Sequence, residues 1–545
     1  IEKMKYFNKL QKQPVYLLFM GLTIFMTFLS GCTKDFKSYN TDPTGITGPD
    51  LVPDGNIGAF FPNIEAGIFN TNGVGRARYQ VAQNLNADCY SGYMMANNPF
   101  NPDVNNLNYF FTDRWNTNIF NYAYGTVMGG LNNLSKLGLS TSQPDFWAIA
   151  LILKVEDMHR VTDIYGPIPY SQVGKTVVSS PYDDQKSVYN RFFAELDTAV
   201  SNLKTFVNAN PGKKPFQKFD LIYGGNYNQW IKFANSLRLR LAMHIVKADA
   251  ATAKLQGEKA LADQGGLLST NADLAQVAGI GSYQNPLYGI AVNYSDIRMG
   301  ASAESILNGY QDPRLAKYFV PSTDPAFAGQ YKGIRIGCTL PAKPGYNGFS
   351  ALNTTTSFTA TAPMIMMTPS EIWFLKAEAA LRGWANAGDA QADYETGINT
   401  SFGQWGVSSA TYINNAVSVP ASYVNPKNTV DNASAVSTIT IKWDGSASNE
   451  AKLERIITQK WIAMFPEGQE AWTEFRRTGY PKLFPVVNNN SNGTISTGIQ
   501  VRRLAYPASE YNGTNLAEIQ KGLQFLAGPD NGGTRVWWDV NGPNF

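Results

Sequence analysis

Apolar residues recur with the period of an α-helix over much of this sequence, and this pattern rules out most fold classes. Residues 145–164 are broadly apolar and run into Tyr165-Gly166-Pro167, a combination that ends helices. The other segments with this period are 115–134, 187–207, 227–248, 250–263, 302–309, 370–384, 390–402 and about 450–465. The chain is therefore predicted to be all-α.

Two of these segments, 370–384 and 390–402, are similar to the helix pair of a tetratricopeptide (TPR) unit. Such a pair needs small residues where its two helices cross, so that the backbones can approach. Suitable small residues are Ala377, Ala380, Ala390 and Gly397, and Ser370 is predicted to be the N-cap of the first helix. A uniform repeat of about 34 residues is not visible, so we expect TPR-like helix pairs rather than a regular solenoid.

Long irregular segments rich in Asn, Gly, Pro and Tyr separate the helices. They cover residues 89–118, 278–300, 321–368, 403–445 and 485–540. Irregular segments of this length are usually functional or disordered, and their aromatic content argues against disorder. Because composition does not break anywhere in the body, we predict one large domain over residues 51–545 with long loop excursions.

The amino-terminal segment is predicted to be a targeting signal. Lys5 to Lys12 are positively charged, and the 15 uncharged residues Val15–Leu29 are too few to span a bilayer, which takes about 20 helical residues. Leu29-Ser30-Gly31-Cys32 resembles a bacterial lipobox, which implies removal of residues 1–31, acylation of Cys32 and a polar tether to about residue 50. The alternative is ordinary secretion, with Cys32 incidental.

The charge balance excludes one class of partner. The sequence has 45 Lys and Arg against 42 Asp and Glu, and the whole excess of +3 lies in residues 1–31. A neutral body lacks the basic face that a nucleic-acid-binding protein needs. Only 16% of residues are charged, against about 25% in typical proteins, whereas 13% are aromatic. This composition suits uncharged, ring-bearing solutes better than acidic ones.

Cysteine and histidine provide no evident catalytic or metal site. Cys89 and Cys338 are either a disulfide or buried small side chains, and neither is assigned a catalytic role. His159 and His244 fall on apolar helix faces and are predicted to be core or boundary histidines. Two histidines argue against a metal site with several histidine ligands, and HExxH, GxSxG, Walker A and EF-hand patterns are missing. We predict no cofactor, no metal and no enzyme activity.

Several stretches together resemble the SusD/RagB family of outer-membrane lipoproteins. The most specific are ITQKWIAMFPEGQEAWTEFRRTGYP at 457–481, VRRLAYPASE at 501–510 and VWWDV at 536–540. The lipobox, YGPIPY at 165–170 and the helix pair at 371–402 occur in the order expected for the family. YNQWIKFANSLRLRLAMHI at 227–245 is similar to the SusD-like 2 branch.

The resemblance implies a lipid-anchored protein on the outer cell surface that binds a solute and is not an enzyme. It would deliver oligosaccharides, or in some members peptides, to a SusC-like TonB-dependent outer-membrane transporter. A surface glycan hydrolase and an adhesin are the alternatives from other classes. The ligand contacts of the founding starch binder do not transfer to this chain.

Ligand contacts are predicted in two aromatic loops, because sugar rings pack their C–H faces on aromatic rings and bond amides at their edges. In family members with known ligands, comparable early and mid-chain loops line the site. The predicted ligand-binding residues are Tyr90, Tyr93, Asn98, Phe100, Tyr109, Tyr283, Tyr288, Tyr294 and Arg298. The alternative is that these side chains are loop cores or transporter contacts. Trp115 is predicted to be core.

The charged residues of the family motifs are predicted to be structural. Glu474 and Arg477 are three residues apart and can pair on one helix face, which stabilises an exposed helix by only about 0.3 kcal/mol. A buried network that orders the long loops is predicted from Arg476, Arg502, Arg503, Glu470 and Glu510.

Overall fold

Helices provide most of the secondary structure, as the apolar periodicity predicts. A computed structural model of the protein describes residues 55–71, 75–102, 104–175, 178–215 and 217–545. The predicted signal peptide, the predicted lipidation site Cys32 and the tether lie outside the described residues. From Ile57 onward the chain forms one compact unit.

The α-helices range from short turns to 25 residues. They are α1 Gly55–Gly58, α2 Phe61–Ile68, α3 Arg76–Tyr79, α4 Ala87–Tyr90, α5 Asp113–Tyr122, α6 Gly129–Lys136, α7 Leu139–Ser142, α8 Pro144–Tyr165, α9 Gln185–Ala209, α10 Tyr227–His244, α11 Ala250–Ala262, α12 Pro286–Tyr288, α13 Ala301–Gly309, α14 Leu315–Tyr318, α15 Pro369–Leu381, α16 Ala390–Trp405, α17 Asn449–Met464, α18 Gly468–Thr478 and α19 Leu516–Gly522. π-helical segments occupy Gln80–Asn84, Ala123–Met128 and Gly289–Tyr294.

The predicted long helices are confirmed, with shifts at their ends. α8 ends where expected, because Gly166 adopts φ +86°, a backbone conformation that favours glycine. α10 ends at His244 rather than at residue 248. Ser370 is not the N-cap of α15: the cap is Thr368, whose hydroxyl accepts from the Glu371 amide at 3.1 Å. The predicted helix 115–134 is two α-helices joined by a π-helical segment.

The described chain also contains short antiparallel strands, some of them within segments that were predicted to be irregular. The strands are β1 Met94–Ala96, β2 Ile168–Pro169, β3 Tyr182–Asp183, β4 Ala275–Val277, β5 Ile297–Met299 and β6 Met364–Met367. β1 pairs antiparallel with β5, with Met95 opposite Arg298. The irregular prediction is wrong here, and the pairing joins the early loop 89–118 to the mid-chain loop 278–300.

The core lies between consecutive helix pairs. α8 packs against α9, α10 against α11, and α15 against α16, which is the predicted TPR-like pair. Gly397 lies at the crossing of this last pair, where an added Cβ would come within 2.8 Å of the Phe374 ring. The small residue is therefore needed for the close approach, as predicted. Four tryptophans, Trp230, Trp461, Trp472 and Trp538, are fully buried.

α18 begins with a glycine because its first turn touches another backbone. An added Cβ on Gly468 would lie 2.5 Å from the Cα atom of Asp88 in α4. Backbone atoms cannot move aside as a flexible side chain can. The Glu-Gly of the 457–481 motif thus fixes the contact between α18 and α4.

The charged motif residues are buried, and they bond to several different partners. Arg476 donates to the Asp163 and Arg502 carbonyls, and Arg502 pairs with Asp539. Arg503 pairs with Asp530, and Glu510 accepts from the Tyr182 hydroxyl at 2.8 Å. Glu470 lies against His244. These contacts fasten loops to the helices as predicted, although through separate clusters rather than one network.

Among the described residues, no helix combines the length and the hydropathy that crossing a membrane requires.

Candidate ligand-binding cleft

An open cleft of about 430 Å³ lies where the early and mid-chain loops meet. Its walls come from α3 and the π-helical segment that follows, from one face of α5, and from the end of the mid-chain π-helical segment. The lining residues are Ala77, Arg78, Gln80, Val81, Arg114, Asn118, Tyr122, Tyr294 and Asp296. The cleft therefore combines two aromatic rings with amide, guanidinium and carboxylate groups.

Each tyrosine of the cleft has an arginine over its ring. The Arg78 guanidinium carbon lies 5.5 Å from the centroid of Tyr122, and that of Arg76 lies 5.2 Å from the centroid of Tyr294. Such cation–π contacts contribute about 0.5–1 kcal/mol at exposed sites. Arg76 also donates to Gln284 at 3.2 Å, which ties it to the mid-chain loop. Each ring therefore has a guanidinium group against one of its faces, which holds the ring in place.

Asp296 joins the walls of the cleft. Its carboxylate accepts from Gln80 at 3.1 Å and from Asn98 at 3.0 Å, and it pairs with Lys343 at 2.6 Å. These three partners come from three distant parts of the chain. The Lys343 ammonium also donates to the Tyr294 carbonyl, at 2.5 Å. Asp296 therefore organises the cleft floor and fixes the backbone that carries Tyr294.

The cleft is locally basic, although the body of the chain is neutral. Arg78 and Arg114 are exposed, and neither takes part in an ion pair with any other described residue. The Asp296 charge is already matched by Lys343. Guanidinium groups present several donors in a plane, so they bond sugar hydroxyl, acetamido and carboxylate oxygens alike.

All three π-helical segments of the described chain adjoin the cleft. Two of them end or begin at lining residues, Gln80 and Tyr294, and the third follows directly after Tyr122. π-helical turns are rare and occur frequently at functional sites, because they redirect side chains out of a regular helix. Their position supports the cleft as the functional site of the fold.

The structure brings part of the predicted ligand-binding set to this cleft. Tyr294 lines it, and Asn98 reaches it through its bond to Asp296. Phe100 is half-buried and packs edge-on against Trp115, with ring centroids 5.4 Å apart. Trp115 is 8% exposed and belongs to a small apolar cluster, which confirms its assignment to the core.

Three predicted aromatic contacts are core residues instead. Tyr90, Tyr93 and Tyr109 are 3%, 0% and 2% exposed. The Tyr90 hydroxyl donates to the Asn106 carbonyl and that of Tyr93 to the Trp461 carbonyl. The prediction is corrected for these three, because their rings are enclosed on all sides and present no face to a solute.

Arg298 is likewise buried and structural. It donates to the Asn347 carbonyl at 3.0 Å, to the Ile297 carbonyl at 2.6 Å and to the Ser295 hydroxyl at 3.0 Å. Burial lowers the pKa of Arg298 to about 10, and nearby Asp296 opposes that shift. The side chain therefore braces the turn before Asp296, and this corrects its assignment as a ligand contact.

Tyr283 and Tyr288 are half-buried and lie outside the lining of the cleft. The Tyr283 hydroxyl donates to the Ala362 carbonyl at 2.6 Å, and Tyr288 ends the short helix α12. Their assignment as ligand contacts stays a prediction.

Arg78, Gln80, Arg114, Asn118, Tyr122 and Asp296 were missed from the sequence. The spacing of three of these residues could have indicated the site. Arg114, Asn118 and Tyr122 are four residues apart and therefore share one face of α5. A polar helix face with a single aromatic residue resembles any solvated surface, however. Arg78 and Gln80 lie in a segment too short to show a period.

The two described cysteines are free and buried, so the open question of a disulfide is settled for this structure. Burial raises the pKa of both thiols well above the usual range. Neither is a nucleophile in this state.

The chain is similar to proteins of one family. A family model described as SusD-like, Susd and RagB outer membrane lipoprotein, matches residues 38–539. A chitin-binding SusD homologue from Flavobacterium johnsoniae is 44% identical with a TM-score of 0.86, over 90% of this chain and 100% of that one. SusD homologues from Bacteroides vulgatus and Bacteroides uniformis are 38% and 36% identical, with TM-scores of 0.85 and 0.82. They cover 90% and 89% of this chain, and 99% of each homologue is covered. No curated protein matches the chain.

Proposed function

The chain belongs to the SusD-like family of SusD and RagB outer-membrane lipoproteins, and we propose that it captures oligosaccharides in the cleft beside Tyr122 and Tyr294. Members of this family are nutrient-binding proteins rather than enzymes. The observation that carries the proposal is the pairing of two tyrosine rings with guanidinium, amide and carboxylate groups in one open cleft.

The chemistry of the cleft suits a sugar chain. The C–H face of a pyranose packs on an aromatic ring, and the hydroxyl groups around it both donate and accept hydrogen bonds. Arg78, Arg114 and Asn118 supply donors near the rings. Gln80 adds an amide whose oxygen can accept. A cleft of about 430 Å³ falls within the usual size of ligand pockets, about 300–1,000 Å³, and is large enough for a short oligosaccharide segment.

The chitin-binding relative from Flavobacterium johnsoniae directs the choice of first ligand. Chitin fragments are uncharged and carry acetamido groups, whose carbonyl oxygens accept from guanidinium and amide donors. Chitooligosaccharides are therefore the first probe. Because Arg78 and Arg114 are exposed in the cleft, glycans with carboxylate or sulfate groups are the second.

The rest of the proposed role concerns delivery. Cys32 would anchor the protein to the outer membrane through its acyl chains, and the bound sugar would pass to a SusC-like TonB-dependent transporter. Peptides are the alternative cargo. The alternative functions are those of a surface glycan hydrolase and of an adhesin. The family match supports the first role, because the match covers residues 38–539 and names outer-membrane lipoproteins.

Calorimetric titration of a chain beginning at Thr33 tests cargo and chemistry together. We expect saturable binding of one glycan class, with the mass of the bound glycan unchanged after incubation. Cleavage of any glycan would replace the binding role with that of a hydrolase. Binding of oligopeptides instead of glycans would support the alternative cargo.

A pull-down of full-length protein from native membranes tests the partner. We expect to recover a large outer-membrane transporter in stoichiometric amount. A matched Cys32→Ala chain should leave the membrane fraction, and continued acylation of that variant would contradict the assigned anchor.

A further inference from the structure

The two histidines of the sequence lie side by side in the core, although they are far apart in the chain. His159 is on α8 and His244 is the last residue of α10. Their ring centroids are 6.1 Å apart, and the side chains are 2% and 0% exposed. Neither histidine lines the cleft, so the proposed function does not use the pair.

Both ring nitrogens of His244 face hydrogen-bond acceptors. Nε2 lies 3.0 Å from Oε1 of Glu470, and Nδ1 lies 3.1 Å from the Tyr189 hydroxyl oxygen and 3.4 Å from Oδ2 of Asp163. The Tyr189 hydroxyl donates to Oδ1 of Asp163 at 2.6 Å. Its single proton is thereby used, so its oxygen can only accept from His244. A ring with acceptors on both sides needs a proton on both nitrogens.

His159 is enclosed in the same way. Nδ1 lies 3.2 Å from Oδ2 of Asp163, and Nε2 lies 3.5 Å from Oε2 of Glu156. Glu156 is fully buried, and its oxygens have no hydrogen-bond donor among the described residues. Its nearest positive neighbours are His159 and Arg240, whose Nη1 atom is 3.8 Å away. A neutral His159 would leave a buried carboxylate facing a lone pair.

Charge balance leads to the same protonation state. Starting from the histidines, contacts within 4 Å join six carboxylates to four permanent cations in a buried cluster. The carboxylates are Glu156, Asp163, Glu371, Glu378, Glu470 and Glu474, and the cations are Arg240, Arg382, Lys460 and Arg477. Two negative charges remain uncompensated in the core, which is costly. Two imidazolium ions neutralise them.

Other polar and charged groups also face the pair. Trp538 donates to Oδ1 of Asp163 at 2.7 Å, from the C-terminal segment. Arg476 of α18 is a nearby cation outside the cluster, and its guanidinium donates to the carbonyls of Asp163 and Arg502 and to the Thr473 hydroxyl. Its N–H groups bond backbone and hydroxyl oxygens, while its charge offsets part of the negative charge at Asp163. Arg160, which pairs with Glu467, is a second cation that acts on Glu156. The hydrogen-bond partners on both sides of each ring therefore decide the protonation state more directly than the charge count.

We infer that His159 and His244 are both imidazolium ions in the folded protein and that His244 acts as a proton-dependent cross-link between α8, α10 and α18. Burial by itself lowers the pKa of His244, but the Glu470 and Asp163 carboxylates outweigh it and raise the pKa to about 9. Burial likewise opposes protonation of His159, and Asp163 and Glu156 raise its pKa above the usual range.

The pH dependence follows from the direction of these shifts. A group whose pKa is higher in the folded state stabilises the fold fully below its unfolded pKa, which is about 6.5 for histidine. That stabilisation is lost as the pH rises through the folded pKa, which is about 9 for His244. The cross-link is therefore intact at neutral pH and is released under alkaline conditions.

Nitrogen NMR of the wild-type protein tests the inference directly. Because the sequence contains only two histidines, selective ¹⁵N labelling of a chain without a histidine tag gives two rings. We expect both rings to be doubly protonated at pH 7.5, where an ordinary histidine is only about one-tenth protonated. A His159→Gln chain assigns the two rings.

Either of two spectra would overturn the inference. One is a neutral ring, with one protonated and one unprotonated nitrogen at pH 7.5. The other is metal coordination that a chelator reverses, since ring nitrogens of both histidines and an oxygen of Asp163 lie within 4.8 Å of one another. A divalent cation there would supply the two charges in place of protons.

Thermal melting separates the cross-link from simple packing. We expect His244→Gln to lower the melting temperature at pH 7 and the difference from wild type to shrink by at least half between pH 7 and pH 10. Leu241→Met, on the same face of α10, is the control and should show a constant difference. A constant difference for His244→Gln as well would contradict the inference.

Discussion

Replacement of Arg477 by Met tests whether the Arg-Arg-Thr-Gly stretch supports the fold rather than the ligand. The Arg477 guanidinium binds both oxygens of Glu378 at 2.7 Å and both oxygens of Glu474, at 3.0 and 2.6 Å. All three side chains are 0% exposed. The sequence predicts that an exposed pair stabilises the helix only slightly, whereas burial makes the loss of either partner costly, because a charge is then left without a counter-ion.

The magnitude follows from what the variant leaves behind. Without Arg477, Glu474 retains only Lys460 at 3.5 Å, and Glu378 retains Arg382. Removing one partner of a buried ion pair costs about 3–5 kcal/mol. Burial by itself raises the pKa of Glu378, but Arg477 and Arg382 hold it at about 2, so the Glu378 carboxylate is charged at neutral pH.

Scanning calorimetry converts this cost into a shift in melting temperature. A unit of about 490 residues has an unfolding entropy near 1 kcal/mol per degree, so we expect a decrease of about 3–5 °C. Arg477→Lys keeps the charge but loses the planar guanidinium that binds two oxygens at once. Its melting temperature should lie between those of Arg477→Met and wild type. Glycan affinity of the folded variant should stay within about twofold, since Arg477 does not line the cleft.

Two results would refute this reasoning. A melting temperature within about 1 °C of wild type would mean that the pair contributes little despite its burial. Loss of glycan affinity at an unchanged melting temperature would instead make Arg477 part of the binding site.

Three further predictions concern packing, pH and thiols. Gly468→Ala should lower the melting temperature by about 1–3 °C in calorimetry, because its Cβ would lie 2.5 Å from the Asp88 Cα atom and overpacking costs about 1–3 kcal/mol. An unchanged melting temperature would contradict the close approach. Burial raises the pKa of Asp88 to about 7. Protonation of Asp88 therefore stabilises the fold fully below about pH 4, and this stabilisation is lost as the pH rises to 7. Between pH 5 and 7 the melting temperature of the Asp88→Asn chain should therefore fall less steeply than that of wild type, by about 1 °C per pH unit. The same slope for both chains would contradict this prediction. Thiol titration of the unfolded chain beginning at Thr33 should detect two free cysteines, Cys89 and Cys338. Detection of no free thiol would indicate a disulfide between them.

The helices could be predicted from the sequence because their signal is local. α8, α9 and α15 lie within a few residues of the predicted segments, since apolar periodicity and Gly or Pro breakers act over one or two turns. The small residue at the α15–α16 crossing, Gly397, was also visible for this reason.

The cleft was only partly predictable, because composition does not reveal which side of a loop faces water. Tyr93 and Tyr294 occur in similar Asn-rich and Tyr-rich contexts, yet one is fully buried and the other lines the cleft. The buried asparagines show why: Asn106 donates to Asn86 and Asn116, both at 2.9 Å, so a polar loop fills its own core. Contacts such as Glu470 with His244 join residues more than 200 positions apart, beyond any local pattern.

The most direct measurement of the central claim is a calorimetric titration of chitooligosaccharides, then of other glycans, into wild type and cleft variants. Tyr294→Ala should weaken binding by about 10- to 30-fold, as expected when an anchoring aromatic ring worth about 1.4–2 kcal/mol is removed. Phe110→Ala is the matched control, because Phe110 is 40% exposed in the other aromatic-rich loop, 89–118, but does not line the cleft, and this variant should bind like wild type. Equal affinity of the Tyr294→Ala and wild-type chains for every glycan bound would contradict the assignment of this cleft.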